Sequence, residues 1–408
     1  MMKNSFRLLW SGQMLANFGD VFYIVGVITF LYAATESAFF LAMLPFLNTF
    51  GRFMSGMVSP ILMNRFPLKT LLMASQVSKT FVLSTLAIWN TMGHVPVLGL
   101  FLFIFLIALL DGWALPATDA MLPRLVKKEE LVKANSFVSI VTQSTQLGGW
   151  AIGGLMASFL GGQHFIWITF ILFVTSTVLL KRIHDPVPFK KETGEKRMIR
   201  ELQEGFILIW RTRLFRVIHI EMAMQAIANV VWVAAIIYVY VEEVLGRSEA
   251  WWGYLNTSFF LGLIAGGYIC SIYHDRLENR MRLFMIGASL VVGLITFPFG
   301  LVKIAWAALI LTFMHGVFDQ VKGVALQTFL QKEATEKQLP KIYGLQSGVF
   351  SLVFGVATLV FGALTEWMGV QYAFVISGIL LLWGTIYLMV NKTAFPEYSD
   401  KYEVKAHS

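Results

Sequence analysis

Charge is scarce in this sequence. Only 14% of its 408 residues are Asp, Glu, Lys or Arg, where a soluble domain carries about 25%. There is one cysteine, Cys270, which excludes a disulfide framework and a thiolate metal cluster. The seven histidines are scattered. No glycine-rich loop ends in Lys-Ser or Lys-Thr, so a phosphate-cradling ATP site is not expected. Short alternating strands of the β-barrel kind are missing as well. These absences leave no room for a soluble catalytic domain. The chain is expected not to be an enzyme and to hold no metal or cofactor.

Apolar sequence is what fills the chain: 57% of residues are hydrophobic, and the mean hydropathy is +0.68. A helix of about 20 apolar residues crosses the ~30 Å hydrocarbon core of a bilayer. Runs of that kind fall at 6–33, 37–62, 69–91, 95–121, 135–160 and 163–181, and again at 214–241, 249–273, 281–300, 303–329, 341–365 and 370–391. The first run follows Lys3 and Arg7 but extends to Ala33, too long for a cleaved signal core, and reads as a retained span. The expected fold is an all-α membrane protein of 12 transmembrane helices. Its parts are an N-terminal six-helix bundle over 1–181, a linker over 182–213, a C-terminal six-helix bundle over 214–391 and a tail over 392–408.

The net charge of +8 follows topology. With both termini inside, Arg52, Lys79 and Lys322 lie within spans, only Arg247 and Lys303 lie outside, and the other basic residues fall on the inner side. Inner loops carry such an excess. This predicts a multi-pass protein of the cell (inner) membrane and argues against nucleic acid as a partner. The expected partners are the lipid bilayer and a small-molecule substrate, with the chain working as a monomer. In the linker, Ile199, Leu202, Phe206 and Ile209 recur at helical spacing among basic residues, the pattern of a helix lying on the inner membrane face.

The halves repeat. Phe6-Arg7 is echoed by Phe215-Arg216, Leu47-Asn48-Thr49 by Leu255-Asn256-Thr257, Asn64-Arg65 by Asp275-Arg276, and Asp111 by Asp319, all at offsets of 208 to 211. Parallel repeats of this kind build two bundles with a binding site between them near the midplane.

On these residues the chain resembles the major facilitator superfamily of secondary transporters. The family's gate motif between spans two and three is held here by Asn64, Arg65 and Lys69, with Asn64 replacing an aspartate; the second copy keeps Asp275 and Arg276. Gly149, Gly153 and Gly154 look like a worn antiporter motif in span five, and glycines four apart let helices approach closely. A narrower resemblance is to macrolide-efflux and enterobactin-exporter-like proteins. It rests on Gln13, Asn17, Gly19 and Asp20, on Pro116 with Leu122-Pro123-Arg124-Leu125-Val126 and Ala134-Asn135, and on Gln327, Gln331 and Tyr343-Gly344. The resemblance implies a drug:proton antiporter.

Ionisable groups at membrane depth normally face a partner or an aqueous cavity. Asp20, Asp111, Glu221 and Asp319 are the candidate proton-coupling carboxylates, with Arg52, Lys79 and Lys322 as charge partners. Fixed pairing, for instance Asp20 with Arg52 and Asp319 with Lys322, is the plainer alternative. Candidate cavity residues are Gln13, Asn17, Tyr23, Asn48, Trp113, Gln143, Gln146, Gln225, Asn229, Trp232 and Asn256. The expected activity is proton-coupled export of amphipathic drug-like or other small organic compounds by alternating access. A lipid, lysolipid or siderophore translocator and a non-transporting sensor are the other readings.

Overall fold

A computed structural model describes residues 4–35, 38–92, 95–187, 198–232, 234–248 and 250–397. Among these residues, fifteen helices follow in chain order. The first half contains α1 (Asn4–Thr35), α2 (Ala38–Arg65), α3 (Leu68–Met92), α4 (Val97–Asp111), α5 (Ala114–Leu125) and α6 (Leu131–Lys181). Then come α7 (Met198–Arg211), α8 (Arg213–Ala228), α9 (Ala234–Glu243), α10 (Ala250–Ile272) and α11 (His274–Asn279). The last four are α12 (Met281–Phe299), α13 (Ala305–Glu333), α14 (Leu339–Met368) and α15 (Val370–Val390). No strand occurs among the described residues. Nine helical segments among them are long and apolar enough to cross a membrane.

Three boundaries differ from the sequence expectation. The fourth run breaks at Gly112-Trp113 into α4 and α5. Pro116 explains the break, because it leaves the carbonyl four residues earlier without a donor and crowds it. The seventh run breaks into α8, a 3-10 turn at Asn229–Trp232, and α9. The turn expected near residue 161 is absent, and α6 continues through it. Each glycine there costs only about 1 kcal/mol of helix propensity, and no proline interrupts.

Two compact units emerge, and they do not follow the halves of the chain. The first comprises 1–128, 144–207 and 335–351; the second comprises 129–143, 208–334 and 352–408. The start of α6 thus packs with the second half, and the start of α14 with the first. Each exchange has a physical cause. In the second unit, Asn135 of α6 donates to Gln331 at 2.7 Å and to Thr328 at 3.1 Å, both on α13. A side chain at Gly267 of α10 would meet Ile140 at 2.8 Å, so those helices touch closely. In the first unit, Gly56 of α2 lies against the backbone of Gly348 in α14. The amphipathic helix α7 joins there too, through an ion pair of Glu204 with Lys341 at 3.2 Å. It leaves Phe206, Ile207 and Trp210 exposed.

The first unit's core gathers Tyr23, Leu83, Leu86, Phe103, Ile107, Ile166 and Phe173. The second unit's core is aromatic, built on Tyr240, Phe299, Phe361 and Phe374. Large apolar side chains such as Phe81, Ile310, Leu359 and Trp383 stay exposed, as they do where hydrocarbon replaces water as the solvent. The tail closes against the second unit. Phe395 is buried against the ring of Phe329, and Glu397 pairs with Arg282.

Candidate functional site

Four charged side chains from four helices converge in the first unit. Lys79 of α3 is fully buried and donates to Asp20 of α1 at 3.1 Å and to Asp111 of α4 at 2.8 Å. Arg52 of α2 donates to the other oxygen of Asp111 at 2.9 Å. Small residues make the convergence possible. A side chain at Gly51 would strike Ala108, and one at Gly112 would fall 2.5 Å from the Cβ of Ser55, so α2 can press against the α4–α5 break. That brings Arg52 within reach of Asp111. Phe173 completes the enclosure, its ring centroid 4.8 Å from the Lys79 ammonium. Two carboxylates and two cations balance in charge, as burial demands.

The pairs themselves differ from the simple alternative. Arg52 holds Asp111 rather than Asp20, and Lys322 holds Glu221 rather than Asp319. The two carboxylates of the first unit are held unequally. Among the described residues, Asp111 has two cationic donors and Asp20 one.

The second unit carries a ladder of polar pairs between α8, with its 3-10 extension, and α13. Glu221 meets Lys322 at 3.5 Å, Gln225 donates to Asp319 at 2.6 Å, and Trp232 stacks on His315 with centroids 4.1 Å apart. Numbers rise on one side as they fall on the other, so the two elements run antiparallel. The residues recur at spacings of four and seven on one side and of three and four on the other, which sets them on facing stripes. Glu221 and Lys322 are both buried, and Gly384 of α15 makes space for the carboxylate, since a Cβ there would lie 2.5 Å from its Oε2.

The other candidates divide. Gln13 donates to Thr118 at 2.9 Å, and Asn48 reaches the Tyr23 hydroxyl at 3.5 Å, both bonds joining helix to helix. The indole of Trp113 donates to the carbonyl of Leu71 at 3.3 Å, and Asn256 bonds the carbonyl of Trp252 in its own helix. Asn17, Gln143 and Gln146 are half-buried. Gly149 and Gly153 pack on Val21 and Val25 of α1; the surroundings of Gly154 lie outside the described residues. In the gate motif Arg65 is exposed, Asn64 and Lys69 are half-buried, and Asp275 is exposed beside His274. The buried contact of the second copy comes from a residue the motif does not name: Glu278 pairs with Lys332 at the end of α13.

Sequence reasoning passed over His315 and Asp119. His315 was one histidine among seven, yet its position four residues before Asp319 and seven before Lys322 puts it on the polar stripe of α13. Asp119 lies in α5 inside an apolar run and was not counted with the other carboxylates.

The comparisons with known proteins agree with this architecture. The family model of the Major Facilitator Superfamily matches residues 9–336. The MFS-type transporter YfmI of Bacillus subtilis (strain 168) is 28% identical over 414 aligned positions, covering 100% of this chain and 99% of that protein. Macrolide efflux protein A of Streptococcus pyogenes is 21% identical, covering 93% and 94%. Among solved structures, a bacterial homologue of the iron transporter ferroportin in its outward-facing state superposes with a TM-score of 0.79 at 14% identity, covering 95% of this chain and 99% of that one. The chain belongs to the Major Facilitator Superfamily of membrane transporters.

Proposed function

We propose that this transporter exports amphipathic, drug-like compounds in exchange for protons, and that Asp20 is the carboxylate that takes up the proton. The observation that carries the reading is the unequal grip on the two carboxylates, Asp111 buried and Asp20 half-buried. Lys79 is shared by Asp20 and Asp111, while Arg52 reaches Asp111 alone. Protonating Asp20 therefore leaves Lys79, Asp111 and Arg52 as an intact bonded group. Protonating Asp111 would strand Arg52, which has no bond to Asp20, and leave Lys79 with Asp20 alone. Proton uptake also leaves the cluster with a net positive charge in an apolar setting, which is costly there and favours a rearrangement. Efflux among the relatives supports the direction, since one of them is a macrolide efflux protein. The protein works in the cell membrane with both termini on the cytoplasmic side, as a monomer, with the proton gradient as its energy source and no bound cofactor.

The test uses purified protein in liposomes with an imposed pH gradient and a macrolide as cargo. Asp20→Asn abolishes gradient-driven accumulation while downhill flux of cargo persists. Unchanged gradient-driven flux in Asp20→Asn, Asp111→Asn and Glu221→Gln alike would reject the coupling scheme.

A further inference from the structure

Several buried polar atoms in the second unit have no hydrogen-bond partner among the described residues, and three of them belong to side chains at the break in the seventh apolar run or stacked on it. These three are Oδ1 of Asn229, Nε1 of Trp232 and Nε2 of His315. Asn229 and Trp232 are the ends of one 3-10 turn, and residues three apart in such a turn eclipse, so both side chains leave the same face. His315 stacks on Trp232 at 4.1 Å and is itself fully buried. Phe259 lies parallel to the indole at 6.5 Å, and Phe299 closes another side at 4.6 Å.

The neighbours suit one tautomer of His315. The hydroxyl of Thr296 donates to the Val292 carbonyl at 2.9 Å, so toward Nδ1 of His315, 3.4 Å away, it can only accept. The proton of a neutral His315 then sits on Nδ1, and Nε2 is an acceptor. Asn229 Oδ1 is a second acceptor, and the indole N–H is a donor. Leaving such atoms buried and unmatched is unfavourable. The indole N–H and the imidazole acceptor stand side by side among aromatic faces, and Asn229 adds its acceptor from the other end of the same turn. Asn229 also occupies the position that Asp20 holds in the first half, at the repeat's offset of 209. One half carries charge at that position, and the other a neutral hydrogen-bonding side chain.

We infer that Asn229, Trp232 and His315 form a cargo subsite for a hydroxyl group carried on an apolar skeleton. A hydroxyl gives one proton to an acceptor and takes one from a donor, and the rings accept the hydrocarbon around it. This rests on the exporter reading and narrows it to uncharged, hydroxyl-bearing amphiphiles at this point of contact.

The experiment measures binding of a macrolide and of the same macrolide with its hydroxyls acetylated, by equilibrium dialysis against the full chain in lipid nanodiscs. Wild type is expected to prefer the free hydroxyl form by about tenfold or more. Asn229→Leu and Trp232→Phe each preserve side-chain bulk and are expected to bring that ratio close to one. Because the readout is a ratio within one preparation, a general loss of folded protein does not mimic it, and either variant suffices. A wild-type ratio near one assigns the three atoms to internal hydration and overturns the subsite while leaving the exporter standing. A preference that survives both substitutions reports bulk and also overturns it. If wild type binds neither compound, the exporter reading falls, and the subsite with it.

Discussion

Asn135 and Gln331 lie 196 positions apart in sequence, yet their amides meet at 2.7 Å with both side chains buried. The bond ties the start of α6 to the end of α13. Removing one partner leaves a buried polar group unmatched, at a cost of about 1–3 kcal/mol. Asn135→Ala and Gln331→Ala are each expected to lower the apparent melting temperature in detergent. The double variant should lose less than the sum, because both substitutions remove the same bond.

Lys79 is the keystone of the first unit's charge cluster. Lys79→Gln leaves buried Asp111 and half-buried Asp20 facing one arginine, and breaking a buried pair costs about 3–5 kcal/mol. Poor folding is expected, read as loss of monodisperse protein on size exclusion. Adding Asp20→Asn should rescue it, since Arg52 and Asp111 remain a balanced pair. Adding Asp111→Asn should rescue less, because Arg52 is not bonded to Asp20.

Two glycines of α15 should respond differently to alanine. At Gly378 a Cβ would lie 2.3 Å from the backbone of Phe297, which cannot swing aside. At Gly384 the obstacle is the end of the Glu221 side chain. Gly378→Ala should therefore separate α12 from α15 and cost more than the roughly 1–3 kcal/mol typical of overpacking. Gly384→Ala should cost less stability but weaken the Glu221–Lys322 contact. Gly287→Ala, with nothing within 4 Å, serves as the silent control. Thermal unfolding of the three in parallel checks the ranking.

The tail is held by Phe395, which is 2% exposed and packed on Phe329. Phe395→Ala is expected to destabilise by about 3–5 kcal/mol if the site stays open, less if α13 settles into it. It should also speed proteolysis of the last residues, visible by mass spectrometry.

Much of this architecture could be read from residue order, and the reasons are simple. Length and apolarity of a run report directly on whether it can cross a bilayer, and Asp20, Lys79 and Asp111 stood out because charge is rare at that depth. Who pairs with whom could not be read. Arg52 reaches Asp111 because Gly51 and Gly112 bring α2 against α4, a consequence of packing that no spacing encodes. Lys322 sits three residues from Asp319 and still turns to Glu221, while Gln225 from the facing helix donates to Asp319. The break at Asn229–Trp232 has no proline to announce it, and His315 gains meaning only from what stands opposite.

The exchanged segments bear on how this polypeptide could be divided. Leu131, Val132, Ala134 and Ser136 at the start of α6 are all buried, and the neighbours that cover them arrive from beyond residue 207. A fragment ending after residue 187 would present that face bare, and the complementary fragment would lack the hydrogen-bonding mate of Gln331. Neither piece keeps that packing on its own. Split versions should be recovered only when both pieces are made together in the same cell.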